Sequence, residues 1–313
     1  MPGYKRLSSL QVDAHIPTDD ATGMKLTIKT PASSANLGPG FDALGLALEI
    51  WGTVTVETVS PARQPSSIAR LVQQGIDGAY QGVGEAPAVA IDYDNAIPLA
   101  RGLGASAALR AAGVLAGNAL LDGLHGPDAL LEMGTKLEGH PDNMAPALFG
   151  GLQVVVRGEA GLIHTEAALP AGLQVVVFVP DFEMPTQESR RRLPRQFSRE
   201  DMVFNVGRVA LLLAALQSGR FDLLDEATQD RIHQPVRSQI FKGLVPIMQG
   251  AKEGGAAAAY LSGGGSTVAA FVQEGEERVA RLMTQAALAN GFSGRSIITA
   301  PSARGAYVEA KGE

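Results

Sequence analysis

Three short segments of the chain carry residue types that can work on a charged ligand. In the first, Gly102-Leu103-Gly104-Ala105-Ser106 opens into an Ala- and Leu-rich run that reaches Leu121. Glycines giving way to helix formers predict a loop feeding a helix N-terminus. Such an end presents free N–H groups and about half a positive charge, which suits the phosphates of a nucleotide. The Gly-Lys-Ser/Thr ending of a Walker loop is absent, and a small-residue turn packing helix against sheet would use the same residues. The second segment is Glu138-Gly139-His140-Pro141-Asp142-Asn143. Glu138 and the Ser106 hydroxyl could hold magnesium on a triphosphate. Equally, Glu138 could be a solvated helix-terminal acid, with Asp142 capping the helix that follows. His140 lacks the second histidine of a zinc motif. The third segment, Ser262-Gly263-Gly264-Gly265-Ser266, either brings backbone amides to a phosphate or makes a plain hairpin. Arg190 and Arg237 could grip a carboxylate or a phosphoryl group in bidentate fashion. Arg191 and Arg192 read as solvated surface.

The elements that must position these segments follow from periodicity. Alternation from Met24 through Lys29 predicts a first strand, and Pro31 to Asp42 is rich enough in Gly, Pro, Ser and Asn to read as a loop. Leu44 to Val59 predicts one long or two short strands, Ser67 to Tyr80 a helix and Ala88 to Tyr93 a strand. A helix starts with Pro127 in its first turn and ends at Gly139. A short helix follows Asn143, then strands Gln153 to Arg157 and Gln174 to Val179. Composition changes near Pro180. Beyond it come a loop with Pro185 and Thr186, an apolar helix from about Met202 to Leu216, strands Ala257 to Leu261 and Val268 to Val272, and a helix from Glu274. Strands interleaved with helices suggest α+β architecture. The expected division is an extension over 1–23, an N-terminal domain over 24–180 and a C-terminal domain over 181–313.

Composition bounds what those domains can do. The 313 residues include no cysteine, which rules out disulfides, thiolate zinc sites and a cysteine nucleophile. Net charge is −6, from 26 basic and 32 acidic side chains, and argues against wholesale binding of nucleic acid. No apolar run approaching the roughly 20 residues of a membrane span is expected. Met1 to Gly23 has no apolar core of a signal peptide, so cytoplasmic residence is the expectation.

Taken in order, Pro98 to Ala108, Glu138 to Asn143 and Leu261 to Thr267 resemble the three signature motifs of the GHMP kinases, the superfamily of galactokinase, homoserine kinase, mevalonate kinase and phosphomevalonate kinase. Within it, Pro31-Ala32-Ser33-Ser34-Ala35-Asn36-Leu37-Gly38-Pro39-Gly40-Phe41-Asp42 resembles the N-terminal motif of the homoserine kinases. The resemblance runs from about Met24 to the C-terminus. It implies a two-domain α+β fold: an N-terminal α/β domain like the second domain of ribosomal protein S5, and a ferredoxin-like C-terminal domain. It implies ATP held by Pro98, Arg101, Gly102, Leu103, Gly104, Ala105, Ser106, Ala107 and Ala108, with Ser106 and Glu138 on Mg2+. Asn36, Asp42, His140, Asp142, Thr186, Arg190 and Arg237 would line the site for L-homoserine. Asp42 and Asp142 would attract its ammonium and an arginine would pair with its carboxylate, while Asn143 and Arg190 would act as catalytic groups on the phosphoryl charge. A homodimer is usual in the family. Alternatives are another small-molecule kinase of the superfamily, or a catalytically silent nucleotide-binding regulator. The chain departs from the pattern at Ala105, where a serine is usual, and at Gly264 and Ser266, where Ala and Pro are common. Ser66-Ser67-Ile68 is the candidate for holding adenine.

Overall fold

The computed structural model describes residues 23–59, 66–94, 96–184 and 186–309. The expected N-terminal extension lies, apart from Gly23, outside the described residues.

The first sheet begins with β1 (Lys25–Ala35) and β2 (Leu44–Thr58), antiparallel along their whole length. Alternation turns Leu26 and Ile28 of β1 into the core against Val54 and Val56 of β2. β1 runs six residues further than periodicity predicts, through Thr30-Pro31-Ala32-Ser33-Ser34-Ala35. The register shifts between Pro31 and Ala32, and a proline without an N–H is tolerated at such an irregularity. The true loop is therefore only residues 36–43. Next come α1 (Ala69–Tyr80), β3 (Val89–Tyr93), α2 (Ala105–Leu120), α3 (Pro127–Glu138), α4 (Met144–Phe149), β4 (Leu152–Arg157) and β5 (Leu162–Ala167). β3 pairs with Val54 to Thr58 and β4 with Leu44 to Leu46, so the two share one edge of the long β2. Periodicity did not predict β5. It is an edge strand on which only Ala167 is buried, so it has no apolar face to read. Val72 and Ile76 of α1, Val114 and Leu115 of α2 and Leu130 of α3 cover one face of this sheet.

The second sheet is built from β6 (Gln174–Pro180), β7 (Ala258–Leu261), β8 (Val268–Val272) and β9 (Gly294–Thr299), in the order β7-β8-β6-β9 with every pair antiparallel. Between β6 and β7 lie α5 (Thr186–Arg191), α6 (Arg199–Ser218), α7 (Leu224–Ala227), α8 (Gln234–Ile240) and α9 (Leu244–Gly254); α10 (Glu276–Ala289) joins β8 to β9. This is the split β-α-β pattern of a ferredoxin-like domain. One face packs on α9 and α10 through Phe178, Ile247, Val279 and Met283. The other, with Val175, Val177, Tyr260 and Phe271, shares a core with Leu44, Leu46, Leu48 and Leu103 of the first sheet's half.

The composition change at Pro180 marks the end of β6, a strand already in the second sheet; the chain passes between sheets from Ala167 to Gln174. The final strand, β10 (Tyr307–Glu309), returns to pair with β1. Pairing, not local composition, sets where one sheet ends. α6 also corrects an expectation. By length and a mean hydropathy of 1.2 over 18 residues it is apolar enough to cross a membrane. Its Leu212, Ala215 and Leu216 are buried in the core between the sheets, with the opposite side exposed.

Candidate active site

The loop ahead of α2 turns through Ala100, Gly102 and Gly104, all at positive φ, and Gly104 caps the helix without a side-chain bond. The N–H groups of Ala105, Ser106 and Ala107 have no partner within the helix. Leu103, Ala107 and Ala108 are buried beneath the loop and anchor it to the core, while Pro98 is half-buried ahead of it. Arg101 turns its Nη2 to the Asp181 carbonyl at 2.7 Å and its Nη1 to Glu183 at 3.3 Å, away from the helix end.

Residues Ser262 to Ser266 connect β7 to β8, so the hairpin reading holds, and the same turn braces the first loop. Ser262 Oγ donates to the Gly102 carbonyl at 2.6 Å, and Thr267 N donates to the Arg101 carbonyl at 2.8 Å. Backbones touch here: a Cβ on Gly265 would stand 2.3 Å from Gly102 N, and one on Gly102 would stand 2.4 Å from Ser262 O. Glycine at both positions is a steric requirement.

Ser106 Oγ donates to Glu138 Oε2 at 2.9 Å, joining the first turn of α2 to the end of α3. Arg110 Nη1 bonds both partners, and Arg110 Nε is buried without a hydrogen-bond partner. Sequence reasoning passed over Arg110; its place one helical turn after Ser106 was the available signal. A hydroxyl and a carboxylate are hard oxygen donors, a fit for magnesium, which takes few protein ligands and keeps waters and phosphates. Among the described residues no cluster of three or more His, Cys, Asp or Glu side chains offers a fuller cation cage.

Loop 36–42 lies beside this arrangement. Asn36 Oδ1 accepts from Asp42 N at 3.0 Å and closes the loop on itself. Asp42 takes both terminal nitrogens of Arg190, at 2.6 and 2.5 Å, and this bond raises the Arg190 pKa further above its ordinary value despite partial burial. Arg190 also lies 5.1 Å from the Phe41 ring centre. His140 Nδ1 meets Asp142 Oδ1 at 2.7 Å. Burial alone would lower the His140 pKa, but Asp142 and Glu138 outweigh it and the net shift is upward. Asn143 Oδ1 accepts from Ser33 Oγ at 2.9 Å and faces Gly104, so it stands where the two loops meet.

Arg237 is 1% exposed, and Nη1 donates to His233 Nδ1 at 2.8 Å and to the Gly263 carbonyl at 3.0 Å. Burial, reinforced by Arg190, lowers its pKa to about 10. Its Nε has no hydrogen-bond partner. Burial also drives the pKa of the enclosed His233 down to about 4. Thr186 opens α5, and its side chain lies outside the described residues. Ser66 Oγ accepts from Ala69 N at 3.2 Å at the start of α1. A shallow recess beside Ala105, lined by Thr30, Thr53, Tyr93, Ile97 and Leu109, includes none of Ser66, Ser67 and Ile68. Sequence reasoning missed Ser33 and His233 as supports, although Ser33 sits inside the quoted Pro31 to Asp42 motif and His233 lies one helical turn before Arg237.

Residues 66–151 match the model for the GHMP kinases N terminal domain and residues 212–289 that for the GHMP kinases C terminal. The homoserine kinase of Moorella thermoacetica is 38% identical over 292 residues, covering 90% of this chain and 99% of the relative. That of Deinococcus radiodurans is 40% identical over 296 residues, covering 90% and 96%. The chain belongs to the homoserine kinase family of the GHMP kinases. The crystal structure of homoserine kinase from Cytophaga hutchinsonii superposes with a TM-score of 0.83 at 25% identity, over 95% of this chain and 100% of that one. Mevalonate kinase of L. major, at 17% identity and a TM-score of 0.64, covers 87% and 95% and shares the fold. The two-domain α+β architecture is that of a GHMP kinase, as the motifs implied.

Proposed function

We propose that the chain transfers the γ-phosphoryl group of ATP to the side-chain hydroxyl of L-homoserine, giving O-phospho-L-homoserine. The observation that carries this reading is the contact at Asn143. It joins a glycine loop on a helix N-terminus, suited to phosphates, to a cluster holding two carboxylates and two guanidiniums. A zwitterionic amino acid complements that cluster. Its ammonium would sit on Asp42 and Asp142, and its carboxylate on Arg237, whose unpartnered Nε supports the assignment, or on Arg190.

Phosphoryl transfer needs positioning and charge neutralisation more than a strong base. Gly102 to Ser106 would orient the nucleotide through backbone N–H groups. Asn143 and Arg190 would stabilise charge developing on the transferred group. Ser106 and Glu138 would hold magnesium, which when bound neutralises phosphate charge; Arg110 must then release the oxygens it bonds. The Asp42–Arg190 pair opens to admit the acceptor, exchanging one ion pair for two.

A homodimer is part of the same proposal. Met202, Val203 and Val206 leave an exposed apolar stripe on α6 that supports contact with a second copy, and light scattering at several concentrations tests it. Cytoplasmic residence is proposed with it, consistent with a chain free of cysteine. The deciding experiment is an ADP-release assay with homoserine, mevalonate and galactose in parallel. Turnover with homoserine alone is expected. Turnover with mevalonate alone would reassign the acceptor, and none with any of the three would favour a silent nucleotide binder.

A further inference from the structure

Loop 36–42 holds a shape that its own residues disfavour. Asn36, Leu37 and Asp42, none of them glycine, sit at φ of 69, 48 and 58°. Such conformations persist only where the surroundings over-determine them. Here the surroundings come from α6 and from the residues just ahead of α8, far along the chain. His233 Nε2 donates to the Gly38 carbonyl at 2.7 Å, and Asn205 Nδ2 to the Pro39 carbonyl at 3.3 Å. Arg237 donates to His233 Nδ1, which fixes Nε2 as the protonated nitrogen that faces Gly38.

Both donors hang on one carboxylate. The Asp230 carboxylate is fully buried; its Oδ1 accepts from Asn205 Nδ2 at 2.7 Å and Ile232 N at 2.9 Å, and its Oδ2 from His233 N at 2.8 Å and Gln234 N at 2.7 Å. The loop also lies directly on the turn before Asp230, since a Cβ on Gly38 would stand 2.2 Å from Thr228 O. A buried carboxylate so fully hydrogen-bonded makes a rigid fixture.

We propose that Asp230, Asn205 and His233 form a strap that holds loop 36–42 in its strained shape, and that they are positioning residues for the acceptor and not for the nucleotide. The proposal rests on the reading of this loop as the acceptor loop. Neither Asn205 nor Asp230 faces the Ser106–Glu138 end of the site, so loosening the strap should act on one substrate alone.

The test uses the full chain with Asn205→Ala, His233→Leu and His233→Gln, the glutamine retaining a donor for Gly38. Two readouts are taken: amide hydrogen exchange over residues 40–44, whose N–H groups close the loop, and separate KM values for homoserine and ATP. Asn205→Ala and His233→Leu are expected to speed exchange there by about tenfold and to raise the homoserine KM by about fivefold to tenfold, with the ATP KM within about twofold of wild type. His233→Gln should recover part of both effects. Unchanged exchange, or KM values that rise together, would overturn the strap. Faster exchange in a chain that turns over no homoserine would keep the strap and overturn the acceptor reading. Should His233→Leu fail to fold, Asn205→Ala decides.

Discussion

Glu138 illustrates how much a single side chain's partners constrain its role. A solvated helix-terminal acid would be exposed and free, but this carboxylate is 11% exposed and bonded to both Ser106 and Arg110. Its charge is therefore held for something. Glu138→Ala is expected to lower kcat by about a hundredfold or more and to raise the magnesium concentration needed for activity, because one of the two protein oxygens proposed for the cation is lost. Steady-state rates across a magnesium titration measure this; turnover near wild type would remove Glu138 from the metal site. Asp142 serves two partners, His140 and the backbone N–H of Asn143. The solvated-acid reading of Glu138 therefore fails, while Asp142 braces the residue that leads into the short helix α4.

Among the elements, the two glycine loops decide more together than either does alone. Helix α2 supplies the N-terminus, but the turn between β7 and β8 fixes the loop's backbone against it. Gly265→Ala forces a methyl group onto Gly102 N and is expected to cost about 2 kcal/mol of stability and to raise the KM for ATP. Gly84→Ala, whose methyl group meets open space, should stay within about 0.5 kcal/mol of wild type. Urea unfolding of the two variants with ATP kinetics checks both; equal stability would show that the loops yield without strain. The same elements show what periodicity reads well. β2, with alternating Leu, Ile and Val, was legible because its apolar residues repeat at the period of the element, and α2 because glycines give way to an Ala- and Leu-rich run of helix formers. β5 was not legible because an edge strand with one buried residue carries no such repeat.

At the scale of the whole molecule, two histidines give opposite pH dependence: His233, which ties the halves together at the Gly38 carbonyl, and His140, whose partner Asp142 lies in its own half. His233 is buried and neutral, with a pKa of about 4 against an ordinary value near 6.5. The unfolded chain takes up this proton more readily, so its contribution is complete above about pH 6.5 and is lost as pH falls toward 4. His140 has its pKa raised beside Asp142. Its contribution is complete below the unfolded value near 6.5 and is lost as pH rises through the folded value. Unfolding free energy is therefore expected to peak near neutrality. His233→Gln should make the acid limb shallower, and His140→Gln the alkaline limb. Urea titrations from pH 4.5 to 8.5 test this, and limbs unchanged in both variants would contradict the assignment.

Local residue order and period are enough to specify the loop and helix at Gly102 to Leu120, the polar junction at Glu138 to Asn143, most strands and the family resemblance. Tertiary structure alone decided that β6 belongs to the second sheet and β10 to the first, that Gly102 and Gly265 meet backbone to backbone, that Arg110 bridges Ser106 and Glu138, and that His233 reaches Gly38. Each of these joins residues brought together by chain folding, most of them distant in sequence. Such contacts depend on strand pairing and core packing across the whole chain, which leave no period in the segments they join.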